Sequence, residues 1–164
     1  MPALMVSEEE MEPSDALYEA QQELKRADHS IAVSLKYTRT VDVIKGIIDR
    51  LINTIRYGLD ALLIYNREKG NIEEVPELAR LKAIETKKLY PDNPIVRDTC
   101  DFFLLLRKIT KAEFDRAQEY RRHVTMTAHL DDGQSVQITI DIVTDYYART
   151  KEFLKEVSKL ISES

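Results

Sequence analysis

Residues 41–65 read VDVIKGIIDRLINTIRYGLDALLIY, and this stretch decides the fold. Val41, Ile44, Ile48, Leu51, Ile55, Gly58, Leu62 and Tyr65 recur at alternating spacings of three and four, which is one face of a long α-helix. Ile47, Ile52, Leu59 and Leu63 widen that face. A helix this apolar must pack on two sides, inside a bundle or across a dimer. At Gly58 the missing side chain lets a neighbouring helix come close. Thr40 is a natural N-cap, and Lys69-Gly70-Asn71 supplies the stop.

Upstream, a more polar helix is predicted from about Asp15 to Lys36, with Leu17, Ala20, Leu24, Ala27, Ile31 and Leu35 as a narrow stripe. Residues 1–14 are acidic and polar, and are expected to be a disordered tail ahead of one domain spanning 15–164. Downstream, residues 71–93 form a polar connection with one short helix starting near Pro76. Asn93 and Pro94 are then N-cap and first residue of a helix running to about Lys108. Thr110 to Glu113 (TKAE) has the residue types and spacing of a capping box, so a further helix is expected to about Arg122.

The period then changes to two. Val124, Met126, Ala128 and Leu130 alternate with polar residues, and after Asp131-Asp132-Gly133 the alternation resumes at Val136, Ile138 and Ile140. A three-residue turn with Gly133 left-handed pairs Val124 with Ile140, Met126 with Ile138 and Ala128 with Val136. A two-residue turn would set apolar against polar side chains throughout. Asp141 is expected to cap a last helix reaching about Ile161. The fold class is therefore mainly α: an up-and-down bundle of five or six helices, with one antiparallel β-hairpin (about 124–140) before the C-terminal helix.

The chain has 164 residues and a formal net charge of -5. Glu8, Glu9, Glu10, Glu12 and Asp15 carry all of that excess, which leaves the remainder neutral (24 basic residues against 29 − 5 = 24 acidic). General affinity for nucleic acid is not implied by such a balance, so any basic patch is local. The single cysteine, Cys100, excludes an internal disulfide and fits a reducing, cytoplasmic setting. It is expected as a buried small hydrophobe. No signal peptide and no run of the ~20 apolar residues that a membrane span needs is visible. No Gly-rich phosphate loop and no metal-binding repeat of His and carboxylate occurs, so neither cofactor nor metal is expected.

The densest positive charge lies in Arg107 to His123, RKITKAEFDRAQEYRRH. In a continuous helix Arg116 and His123 would lie two turns apart on one side, about 10 Å by rise. An imidazole and a guanidinium so placed suit metal-independent RNA cleavage, the first moving the 2′-hydroxyl proton and the second holding the phosphate. Arg107, Arg121 and Arg122 are candidate RNA- or phosphate-binding residues. The plainer reading makes Arg121, Arg122 and His123 cations at a helix C-terminus, stabilising it through the macrodipole. Arg122 with His129 repeats the spacing, but His129 falls in the strand. His29 is expected exposed, and Tyr120, Tyr146 and Tyr147 are expected as core or rim residues more than as base-stacking platforms.

Two segments, IRYGLDALLIYNREKG and FFLLLRKITKAEFDRAQEYRRH, together resemble the HEPN superfamily (higher eukaryotes and prokaryotes nucleotide-binding) over roughly residues 40–123. The resemblance implies a helical bundle that usually dimerises. Its catalytic members are RNases with an Arg followed, after four to six residues, by a His, and Arg116 and His123 match that spacing at its upper limit. The residue after the Arg, often polar in that family, is Ala117 here. Other members are inactive binding or dimerisation modules. The function expected first is therefore a non-enzymatic interaction module, a homodimer through the Val41–Tyr65 helix, with RNA, a nucleotide or a protein as partner and Arg107, Arg116, Arg121 and Arg122 as the contacts to RNA or nucleotide. The alternatives are a metal-independent endoribonuclease and a purely structural protein.

Overall fold

The structure, a computed structural model, describes residues 11–163. The tail expected over 1–14 falls mostly outside the described residues. Within them, Pro13 and Ser14 already belong to helix α1 (Pro13–His29), where proline at the first turn loses no hydrogen bond. The Glu12 N–H donates to the Asp15 carboxylate at 3.0 Å and holds that start. The helix continues through a π-helical turn (Ser30–Ser34) and one more α turn (Leu35–Tyr37). In the π turn the Leu35 N–H reaches back to the Ser30 carbonyl.

Helix α2 (Val41–Glu68) is the long helix, and Thr40 caps it as expected, its Oγ1 accepting from the Val43 N–H at 3.3 Å. Ile44, Ile48, Leu51, Ile55, Leu59 and Leu62 are wholly buried. Their cover comes from the same chain: α1, α3 (Ala79–Leu89), α4 (Pro94–Lys111) and α5 (Ile140–Ser162) all pack on α2. The stripe that would serve a dimer is thus spent on the chain's own core. At Gly58 the approach is tightest, since a Cβ built there would lie 2.6 Å from the Phe153 ring of α5.

The Asn93 side chain accepts from the Val96 N–H at 3.1 Å and opens α4 as the sequence indicates. Pro76 lies ahead of α3 rather than in its first turn. Several expectations fail beyond this point. Helix α4 runs on to Lys111, and the segment expected as a helix from Thr110 to Arg122 is strand β1 (Glu113–Ala117) followed by a turn. That segment offers only Phe114 and Tyr120 as large hydrophobic side chains, and Tyr120 stays exposed, which is too little to hold a short helix on a core. As a strand it tucks Phe114 inward and pairs its backbone with β2 (Thr125–His129). The expected hairpin is accordingly a three-stranded antiparallel sheet, order β1-β2-β3, with β3 at Ser135–Ile138.

The hairpin register is the one the alternation required: Met126 opposite Ile138, Ala128 opposite Val136, and Gly133 left-handed at φ 85° in the turn. The third expected pair, Val124 with Ile140, does not form, because Ile140 begins α5. That helix is capped by Thr139, whose Oγ1 accepts from the Ile142 N–H at 3.2 Å, and not by Asp141. Val124, Met126, Ala128 and Ile138 are fully buried and press the sheet onto the bundle.

Candidate functional site

With β1 in place of a helix, Arg116 and His123 do not stand two helical turns apart, and Arg121, Arg122 and His123 do not end a helix. Arg116 is on the edge strand. Its guanidinium meets the Asp42 carboxylate at 2.9 Å and Glu119 at 3.3 Å, and lies 5.1 Å from the centre of the Phe114 ring. Glu119 also accepts from the Val41 N–H at 3.1 Å. The hydrogen bond from Arg116 holds the Asp42 carboxyl below the usual carboxylate range, and the same bond raises the guanidinium's own pKa. The network braces the sheet against the start of α2. His123 is exposed in the turn after β1; its carbonyl accepts from the Thr125 hydroxyl at 2.8 Å, and its imidazole makes no hydrogen bond among the described residues.

Arg121 and Arg122 share that turn, and both are exposed. Gln118 and Tyr120 adopt left-handed backbone conformations (φ 57° and 66°), which cost about 1–2 kcal/mol each in residues with a Cβ. Bonds from the Tyr120 N–H to the Arg39 carbonyl (2.7 Å) and from the Val124 N–H to the Arg121 carbonyl (3.0 Å) hold the turn in shape.

Arg107 belongs to a different place. With Arg80, Lys108 and Lys111 it lines an open groove of about 430 Å³ between α3 and the last turns of α4, floored by Leu104. No acid among the described residues lines this groove and none of its four cations has an ion pair there, though Lys108 and Lys111 also border a smaller cleft of about 220 Å³ with Asp131 and Asp132. Arg80 sits in the first turn of α3, so the positive end of that helix dipole adds to the field. Arg107, Lys108 and Lys111 share one helix edge by their spacing, which the sequence displays; Arg80 is brought in only by the fold.

A second polar constellation was missed in the sequence. On the open face of the sheet His129 bridges three strands, its Nε2 2.7 Å from Asp115 Oδ2 and its Nδ1 3.0 Å from Ser135 Oγ. The connectivity is that of a carboxylate–imidazole–hydroxyl relay, and the hairpin register (His129 opposite Ser135) already implied half of it. All three side chains lie in the open, so the arrangement works as a cross-strand clasp.

A further charged centre is internal. Lys82 of α3 is 3% exposed at its side chain and pairs with Asp60 of α2 at 2.5 Å, while the Thr86 hydroxyl bonds back to the Lys82 carbonyl. Cys100 is buried and its thiol is pushed up to about 12 by that burial, as the reading of an inert hydrophobe requires. Of the tyrosines, Tyr146 packs edge-on to Phe102 with ring centres 5.1 Å apart, whereas Tyr120 is 76% exposed and no part of the core. Among the described residues no group of three or more His, Cys, Asp or Glu is gathered as a metal site would need, and no helix is long and apolar enough to cross a membrane. Comparison of the chain with protein-family models, curated proteins and solved structures returned no match.

Proposed function

We propose that this chain is a non-enzymatic, HEPN-like helical interaction module that holds the phosphate backbone of RNA. The observation that carries the reading is the groove of Arg80, Arg107, Lys108 and Lys111, where four cations converge with no acid in the lining and, among the described residues, no ion pair. Phosphates drawn there release counterions, and the long side chains follow an irregular strand without reading its bases. Arg121 and Arg122 lie in a separate turn and are not needed for this contact.

Fluorescence anisotropy with a short single-stranded RNA tests the reading. Binding should weaken as salt rises, with a log–log slope of roughly −2 to −3 for three or four phosphates. Lys108→Glu with Lys111→Glu, both at exposed positions, should abolish it. Wild-type protein that leaves the RNA free at low salt would refute the proposal. The endoribonuclease alternative, with Arg116 and His123 as its pair, is disfavoured because Arg116 is engaged by two carboxylates. Cleavage of the same RNA that His123→Ala removes would reverse that judgement.

A further inference from the structure

The segment joining α2 to α3 forms an open groove of about 610 Å³ on the side of α3 away from the basic residues. Its lining combines apolar and acidic groups: Leu78 and Leu81, exposed at 66% and 43%, stand among Glu73, Glu74, Glu77 and Glu85. Glu85 is paired with Lys88 at 3.5 Å, but Glu73, Glu74 and Glu77 have no ion pair among the described residues. Two exposed leucines one helical turn apart, ringed by carboxylates, suit an aromatic side chain flanked by guanidiniums.

The chain itself carries such a group. The turn after β1 projects Tyr120 with Arg121 and Arg122 beside it, all exposed, on a backbone held left-handed at Gln118 and Tyr120. Strain of that kind, kept in place by the bond to the Arg39 carbonyl, marks a presented surface more than a passive connection. We infer that the Tyr120–Arg121–Arg122 turn of one copy docks in the Glu-lined groove of a second copy. Tyr120 covers Leu78 and Leu81, and the two guanidiniums meet Glu73 and Glu77. The turn sits at the start of α2 and the groove beside and beyond its C-terminal third, where Lys82 meets Asp60, so the two are roughly 30–40 Å apart along the helix. Two copies laid antiparallel make both contacts at once, which closes the assembly as a two-fold dimer. Neither contact uses Lys108 or Lys111, so this inference and the RNA reading fail independently.

Light scattering coupled to size exclusion, run over a wide range of protein concentration, tests it with two charge-swapped variants. Arg121→Glu with Arg122→Glu alters only the turn, and Glu73→Lys with Glu77→Lys only the groove; all four positions are exposed, so circular dichroism should report an unchanged fold. The wild type should form dimers that loosen with salt. Each variant alone should associate at least about tenfold more weakly, because like charges then face each other. An equimolar mixture of the two should dimerise again, since each swapped surface meets its complement. A wild type that is monomeric at every concentration, association that survives either swap, or a mixture that stays monomeric would each overturn the inference.

Discussion

Two glycines on one helix, given the same substitution, should move stability in opposite directions. Gly46 and Gly58 both lie within α2. Alanine in place of glycine in a helix interior gains about 1 kcal/mol from the backbone entropy of the unfolded chain. At Gly46 nothing lies within 4 Å of the added methyl, so Gly46→Ala should keep that gain in full. At Gly58 the methyl would sit 2.6 Å from Phe153 Cε2 and 3.1 Å from Leu154 Cδ2. Phe153 is fully buried and Leu154 nearly so, which leaves the ring no room to swing aside. Overpacking of this kind costs about 1–3 kcal/mol, so Gly58→Ala should lose about 1 kcal/mol net. The propensity gain is common to both variants, and their difference isolates the packing cost. Urea unfolding followed by circular dichroism measures it: the midpoint should rise for Gly46→Ala and fall for Gly58→Ala with the slope unchanged. In melting temperature each kcal/mol is about 2–4 °C at this size. Adding Phe153→Leu to Gly58→Ala should cost less than the sum of the single changes. Equal midpoint shifts for the two alanines would refute the close approach of α2 and α5.

Other outcomes follow from buried groups. Lys82→Met should destabilise, because it takes from the buried Asp60 carboxylate the ammonium that faces it; a single variant that melts like wild type would refute the pair. Cys100 should resist a thiol reagent at pH 8 until the protein unfolds. Its folded pKa is raised, so the neutral thiol contributes stability that is complete below the unfolded value near 8.5 and is lost as pH climbs toward about 12. Rapid native-state alkylation at pH 8 would show the thiol to be accessible instead.

The helices were legible because local chemistry and packing agree in them. Thr40, Asn93 and Gly70 sit where the apolar periods of α2 and α4 begin or end, and each acts as its type suggests. The register of β2 with β3 was legible because only one pairing keeps Met126, Ala128 and Ile138 together. The error lay between, at residues 110–122. TKAE looks like the start of a helix, but Thr110 and Lys111 end one, Ala112 is its extended C-cap and Glu113 opens β1; the choice of strand for Glu113–Ala117 depends on the free edge of β2, a partner absent from any local window. From that one error came the misplaced Arg116 and His123. The turn at Gln118–His123 was equally hidden, since its left-handed residues are not glycines. The basic groove was half visible: Arg107 and its helical neighbours share an edge, while Arg80 arrives from another helix.

The meeting of Gly58 with Phe153 also sets a clock. The two residues are 95 positions apart (153 − 58), and at ribosomal speeds of about 5–20 residues per second the second follows the first by roughly 5–20 s. For that interval one flank of the most apolar helix in the chain has been made and its cover has not. During synthesis, then, the hazard of wrong association is concentrated on α2, and chaperones that grip apolar helices would find their target there.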